Sequence, residues 1–304
     1  MKTPWWFMHK TPLAFILLPV AVLYYLMSKT VQKIRGFRAH TPRRDVICIG
    51  NIFAGGVGKT PIVRAVAQYL DAPVVMRGYK KTAATENQGD EALMLAAHGL
   101  TVHTGDRLSN IVLLDKQSDN GPIVMDDGLQ NPRVKKTLSV MVFDEGLGYG
   151  NGFVLPAGPL RDWPRAARRA DAIIVVRSRK PRRKFKLPAS VPVFYATPTT
   201  TNPYPRGTRL CAFAGIGYPR KFFDSLDNVV ATRAFADHYQ YTDDDLKKLF
   251  ALARRKKAEL VTTEKDWMRL PDWAREQIRF APLAMEIEKG FFKWISERVK
   301  NHKK

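Results

Sequence analysis

The sequence predicts an α/β protein with a parallel sheet, a second and smaller α/β lobe, and an N-terminal membrane helix. Three observations predict it. The apolar run Val46-Ile47-Cys48-Ile49 leads directly into a glycine-rich stretch ending Gly58-Lys59-Thr60. Near-continuous apolar segments alternate with amphipathic ones over most of the chain, the pattern of a sheet covered on both faces. Residues 12–27 carry no charged side chain.

At the N-terminus, the uncharged run follows Trp5-Trp6-Phe7 and spans sixteen residues. As a helix it rises about 24 Å, slightly less than the roughly 30 Å hydrocarbon core of a bilayer. Residues 5–11 at the interface make a tilted span feasible. Pro19 interrupts the run and leaves open an embedded, non-spanning helix. A cleaved signal peptide fits less well, because Tyr24-Tyr25-Leu26 stands where small residues belong. Lys29, Lys33, Arg35, Arg38, Arg43 and Arg44 follow the run, against Lys2 and Lys10 before it. The positive-inside rule then puts the remainder of the chain in the cytoplasm. Residues 1–36 are the expected anchor.

Next comes Gly50-Asn51-Ile52-Phe53-Ala54-Gly55-Gly56-Val57-Gly58-Lys59-Thr60, with a helix expected over 61–70. A strand feeding such a turn aims backbone N–H groups and a helix N-terminus at one place, where a polyphosphate fits. Gly55, Gly56, Val57 and Gly58 form the cradle, Lys59 reaches the β/γ-phosphates, and the Thr60 hydroxyl serves Mg²⁺. The expected ligand is a nucleoside triphosphate, and the lobe is P-loop NTPase-like. Phe53 occupies a position where the usual pattern has glycine.

Strands are expected at 73–77, 122–126, 138–143, 172–176 and 191–196, with helices over 89–98 and 108–115. The Pro/Thr-rich stretch 197–207 reads as a linker. Strands resume at 210–214, 228–235, 259–263 and 280–287. This divides the chain into a P-loop lobe, 37–200, and a second lobe, 201–304, with a cleft between them as the simplest architecture. Cys48 and Cys211, the only cysteines, each lie inside an apolar run and read as core residues of a reduced protein.

The strand ending Asp126-Asp127-Gly128 places two acids where ligands lie in open α/β sheets, suited to holding Mg²⁺; capping of the next element is the alternative. Gln88-Gly89-Asp90-Glu91 opens a helix, and its acids could complement the helix dipole or supply a general base. Asp237-His238 and Thr262-Thr263-Glu264-Lys265-Asp266 are equally open. The net charge of +22 gathers at 165–169, 177–186, 254–257 and 300–304. No recognition helix, zinc-ligand spacing or RNA-binding aromatic signature accompanies it, so nucleic acid is not the expected partner. An anionic membrane surface is.

Eight short motifs, in order, resemble the tetraacyldisaccharide 4′-kinases, membrane kinases of lipid A assembly. They are Gly50-Asn51 with Gly55-Gly56-Val57-Gly58-Lys59-Thr60-Pro61, Arg77-Gly78-Tyr79, Gly89-Asp90-Glu91 and Asp126-Asp127-Gly128-Leu129-Gln130. The others are Leu155-Pro156-Ala157-Gly158-Pro159-Leu160-Arg161, Phe213-Ala214-Gly215-Ile216-Gly217, Phe235-Ala236-Asp237-His238 and Thr263-Glu264-Lys265-Asp266. Phe53 is also that family's form. The resemblance implies transfer of the γ-phosphate of ATP to the 4′-hydroxyl of lipid A disaccharide 1-phosphate, by a monomeric enzyme on the cytoplasmic side of a bacterial inner membrane.

By position, the resemblance makes Asp90 the base, paired with His238. It assigns Thr60, Glu91, Asp126 and Asp127 to the metal, and Arg77, Tyr79, Gln130, Arg161 and Asp162 to substrate or phosphate. Asn131 stands where the family usually has histidine, and Asp162 where it has glutamate. A different reading is a membrane-associated partitioning ATPase, whose loop begins with lysine; here that residue is Ala54. A basic nucleic-acid-binding ATPase is a third.

Overall fold

A computed structural model describes residues 4–78, 89–117, 119–178 and 185–301. The uncharged N-terminal run forms two helices, α1 (Pro12–Ile16) and α2 (Leu18–Gly36), which meet at Leu17. Pro19, in the first turn of α2, has no N–H to give Phe15 and its ring crowds that carbonyl, which places the break between the helices just before it. The second half of α2 carries Ser28, Lys29, Thr30, Gln32, Lys33 and Arg35. Its apolar half rises only about 15 Å, half of a hydrocarbon core. Among the described residues no helix is long and apolar enough to cross a membrane. Of the two forms expected for the N-terminal anchor, spanning or embedded, no single helix here meets the first.

The helix pair rests on the protein through small residues, Ala14 and Ala21, both fully buried. Leu13, Phe15, Ile16, Val20, Leu23, Tyr24, Leu26 and Met27 point outward. Asp162 ties α2 down: its carboxylate accepts from Tyr25 Oη at 3.0 Å and Lys29 Nζ at 2.6 Å, and from Arg169. Upstream, Asn151 Nδ2 donates to the carbonyls of Trp6 and Ala157, both at 2.9 Å.

Beyond α2 the chain builds an eight-stranded sheet. In order come β1 (Val46–Gly50), α3 (Lys59–Leu70), β2 (Val74–Met76), α4 (Asp90–Ala97), β3 (Val102–Thr104), α5 (Arg107–Asp115), β4 (Ile123–Asp126), β5 (Leu138–Asp144), β6 (Ala172–Val176) and β7 (Val193–Thr200). From β3 to β7 the sheet order is β3-β2-β4-β1-β5-β6-β7, each pair parallel. β1, β4 and β6 are buried at every position, as a strand covered on both faces must be. On one side Val46, Cys48, Val75, Ile111, Ile123, Met125 and Val134 pack into one cluster. Burial pushes the Cys48 thiol up to about 12, which leaves it an inert core residue.

A four-stranded parallel sheet follows, ordered β11-β10-β8-β9. Its elements are β8 (Leu210–Ala214), α6 (Pro219–Phe223), β9 (Val229–Ala234), α7 (Asp243–Lys256), β10 (Glu259–Thr263), α8 (Glu264–Trp267), α9 (Asp272–Arg275) and β11 (Arg279–Ala281). Alternation along β8 sends Cys211 and Phe213 into a core with α7 and α9, and Leu210, Ala212 and Ala214 into another with α6. Thr242 begins α7 with a reciprocal capping box to Asp245.

The expected strand 280–287 is two strands in different sheets. Pro282 cannot donate to a ladder, so β11 ends before it. After it, β12 (Leu283–Ile287) joins the edge of the large sheet beside β7, and α10 (Lys289–Asn301) completes the fold. Two compact units result. One contains Pro4–Gly78, Leu95–Thr197 and, among the described residues, 285–301; the other contains 89–94 and Pro198–Ala284. The chain thus passes between units several times, whereas the sequence-based division placed one boundary after residue 200.

Removing the Asp162 carboxylate should free α2. Asp162→Ala leaves Lys29 and Arg169 without their partner, at a cost of about 1–3 kcal/mol. Faster amide hydrogen exchange in α2, with the sheet unaffected, is the expected result. Unchanged exchange would mean other contacts hold the helix. Burial raises the pKa of this carboxyl, but Lys29, Arg169 and Tyr25 outweigh that and hold it below the usual range. Its stabilising effect is therefore present above the unfolded carboxylate pKa and lost as pH falls.

Candidate active site

In the P-loop unit, the turn after β1 is fixed from both ends. Ala54 N–H donates to Pro159 O at 2.7 Å, and Arg161 N–H to Ile52 O at 2.6 Å. Phe53, between them, is buried and bridges to Leu160. The side chain that breaks the usual glycine pattern is therefore a core residue that seats the loop. Gly58 then turns the chain at φ 82°, ψ 27° and caps α3. A Cβ there would sit 3.1 Å from Met285 Cε, in a left-handed conformation that L side chains avoid. Gly56 differs, since a Cβ on it would meet nothing within 4 Å. Packing does not require glycine at that exposed position.

Around the turn stands a charged cluster. Asn51, fully buried, accepts from Lys59 Nζ at 2.9 Å through Oδ1 and donates to Phe53 O at 2.7 Å through Nδ2. Lys59 Nζ also faces Asp127 Oδ1 at 3.4 Å, and Arg161 Nη1 donates to Asp127 Oδ2 at 2.8 Å. Gln130 Nε2 donates to Asn51 O at 2.9 Å. Parallel register sets Asp126 beside Ile49 at the carboxyl ends of β4 and β1, and Arg107 clasps the Asp126 and Asp127 carbonyls at 3.0–3.1 Å. Burial pushes the Asp127 carboxyl up, but Lys59, Arg161 and Arg107 prevail and hold it below the usual range.

These residues can be tested against Mg²⁺. Asp127 Oδ1 is buried, has no hydrogen-bond partner among the described residues, and lies 3.4 Å from the Lys59 ammonium. Among the described residues no three acidic, histidine or cysteine side chains cluster as a metal cage. Mg²⁺ commonly binds through one or two carboxylates plus substrate phosphates, so Asp126, Asp127 and Thr60 fit an ion that arrives with a polyphosphate.

The other unit holds Asp90, the first residue of α4. His238 has φ 60° and is held by its N–H to Gly215 O at 3.1 Å. Its Nδ1 lies 3.3 Å from Asp90 Oδ2, and its Nε2 lies 3.3 Å from Lys265 Nζ. Nδ1 also lies 3.2 Å from Arg269 Nη2, so a donor-only cation stands at each ring nitrogen of His238. Arg269, with a side chain only 2% exposed, donates to the same Oδ2 through Nε at 2.8 Å and through Nη2. Its Nη1 reaches Gly215 O and Asp266 Oδ1, and Asp266 also accepts from Tyr241 Oη at 3.0 Å. Lys265 pairs with Glu91 at 2.7 Å.

Burial pushes the Asp90 carboxyl up. The bond from His238, then the bonds and charge of Arg269, with Lys265 behind them, reverse this and hold it at about 2. Glu91 is likewise held low by Lys265 against burial.

The sequence-derived residues therefore fall into three groups. Lys59, Asp126, Asp127, Gln130 and Arg161 gather at the glycine turn, and Asp90, Glu91 and His238 gather at the start of α4. Asp162 joins neither, because its side chain anchors α2. Asn131 is spent on its own turn, accepting from Arg133 N–H at 3.0 Å. Both departures from the family pattern thus have local structural work. Arg77 is exposed just beyond β2, and Tyr79 lies outside the described residues. Sequence reasoning gave no role to Asn51, Arg107, Lys265 or Arg269. Arg269 sits three residues after Asp266, a helical spacing that offered the one available signal.

The sequence profile described as tetraacyldisaccharide-1-P 4′-kinase matches residues 13–300. The chain belongs to the tetraacyldisaccharide 4′-kinase family. Similar proteins of that name include one from Dinoroseobacter shibae, 37% identical over 300 residues, covering 89% of this chain and 88% of that one. Another, from Bradyrhizobium diazoefficiens, is 35% identical over 329 residues, with 95% and 92% covered. The fold matches a crystal structure of the "apo" form of LpxK from Aquifex aeolicus in complex with ATP. Its TM-score is 0.74 at 23% identity, with 94% of this chain and 99% of that one covered. At that identity the match speaks for the fold alone. Within this family fold, Arg269 is an interior support of the Asp90–His238 pair.

Replacing Arg269 by Gln should move the Asp90 titration upward by about one to three pH units, the usual effect of an adjacent guanidinium. Carboxyl-carbon NMR of Asp90 reads this directly. A midpoint unchanged from wild type would show that His238 and Lys265 suffice.

Proposed function

We infer that this chain is a kinase that transfers the γ-phosphoryl group of ATP to the 4′-hydroxyl of a tetraacylated disaccharide 1-phosphate, a step of lipid A formation in lipopolysaccharide biosynthesis. Family membership over residues 13–300 carries the acceptor. The glycine turn with Lys59 held between Asn51 and Asp127 supports the donor side. An exposed Gly56 with open space above it suits the close approach of a phosphate chain. The relative in the matched crystal structure binds ATP.

In this reading the amides of 55–60 and the α3 N-terminus take the phosphates, and Lys59 exchanges Asp127 for them. Asp126, Asp127 and the Thr60 hydroxyl hold Mg²⁺ with the nucleotide, and the ion supplies charge neutralisation on the phosphate oxygens. Arg161, with Gln130 and Arg77 nearby in sequence role, serves the phosphates or the sugar.

Asp90 accepts the proton of the attacking hydroxyl. With its pKa held near 2 it is ionised throughout the working range, so its contribution is orientation and charge more than basicity. His238 and Arg269 hold the carboxylate in place, and Lys265 stands at the other ring nitrogen of His238. Glu91, paired with Lys265, supports the metal side.

The exposed apolar side chains of α1 and α2, with Lys29, Lys33 and Arg35 beyond them, support work on the cytoplasmic surface of the inner membrane, where a lipid acceptor resides. A partitioning ATPase is not favoured, given the family match and Ala54.

Lys59→Ala and Asp90→Asn should each lower kcat by at least about a hundredfold, as losses of charge stabilisation and of the proton acceptor do. The assay follows labelled γ-phosphate from ATP onto the disaccharide. Rates near wild type for either variant would overturn the assigned roles. ATP hydrolysis indifferent to the acceptor would overturn the kinase.

A further inference from the structure

The short 3-10 helix Pro164–Arg169 follows Asp162. In such a helix residues three apart eclipse one another, so Arg165 and Arg168 share its outer face while Ala166 and Ala167 are buried beneath. Together with Tyr25, Asp162 and Arg169 they line a cavity of about 320 Å³. The negative charge inside it is already answered. Asp162 Oδ1 accepts from Tyr25 Oη and from Trp163 N–H, and Oδ2 accepts from Lys29 Nζ and Arg169. Arg165, Arg168 and Arg169 line it against the single carboxylate of Asp162, which leaves the cavity with a clear cationic surplus.

Its position is as informative as its charge. Tyr25 belongs to α2, whose Leu23, Leu26 and Met27 are 57–62% exposed. Trp163 stands edge-on to Tyr25 with ring centroids 6.1 Å apart, an aromatic pair of the kind found at the headgroup level of bilayers. Guanidinium groups match phosphate oxygens in pairs. An apolar face, an aromatic rim and a basic pocket in sequence are what a lipid with an anionic headgroup requires. A soluble anion would need only the last.

We propose that this cavity binds the phosphate headgroup of an anionic glycerophospholipid while the apolar side chains of α1 and α2 enter the acyl region. The proposal rests on the membrane-surface reading above. It adds a defined lipid site, formed by Arg165 and Arg168, beside Asp162, the one lining residue that the family resemblance assigned to substrate or phosphate.

The test is flotation of the full-length protein with phosphatidylcholine vesicles containing or lacking phosphatidylglycerol. The R165Q/R168Q variant should lose about thirtyfold in partitioning to the anionic vesicles, two basic contacts' worth. Its binding to neutral vesicles should match wild type, as should its kcat and KM on detergent-dispersed disaccharide. R254Q/R255Q on α7 removes the same charge elsewhere and should bind nearly as wild type does.

Equal losses in the two double variants would reduce the effect to general charge and overturn the site. So would a raised KM with vesicle binding intact, because the pocket would then hold the acceptor's own phosphate. Wild-type protein that ignores both vesicle types would overturn the membrane-surface reading itself. Wild-type binding shared by R165Q/R168Q would overturn only the pocket.

Discussion

A carboxylate withdrawn from water must find a cation or become protonated. This protein meets that constraint repeatedly with basic side chains. Asp127 has Lys59 and Arg161, Asp90 has Arg269 with Lys265 behind it, Glu91 has Lys265, and Asp162 has Lys29 and Arg169. Each of these carboxyls is held below its ordinary range although burial pushes it up. All four are therefore ionised at neutral pH and fixed in orientation. Part of the large positive net charge is thus counter-charge for buried carboxylates.

The same pairings place cations where polyanions are to come. Lys59 is kept near the glycine turn by Asn51, a neutral partner that need not release it, and by Asp127 at the looser distance of 3.4 Å. A preorganised charge costs little reorganisation when the ligand arrives. The rigid side of the arrangement is the seating of residues 52–54 by main-chain bonds to 159–161. Phe53 contributes there through burial, which glycine could not.

The acid–histidine pair shows how far a neighbour can alter a role. A carboxylate alone beside histidine has its basicity set by that histidine. With Arg269 also bonded to the same oxygen, Asp90 is a firmly held anion. In the proposed reaction its value lies in where it stands, because positioning and charge dominate phosphoryl transfer. Asp162 and Asn131 make the complementary point. Both sit inside family motifs, yet the side chains are engaged in holding α2 and a turn.

Read alone, the amino-acid order determined the parallel strands, the glycine turn with Lys59 and Thr60, and the acids after β4. Local physics suffices for the strands and the turn, since periodicity and glycine placement are properties of neighbouring residues. The acid–histidine pairing came from motif resemblance. Tertiary structure decided what depends on residues far apart in the chain. Pro282 divides one apolar run between two sheets, and Pro19 divides another between two helices. Arg269, 179 residues from Asp90 in sequence, sets its charge. Residues Asn51 and Asp162 acquire their duties only when β4, the turn after β1 and α2 are packed together. Hydrogen bonds and ion pairs across such separations leave no periodic trace, and so they could be read only from the folded chain.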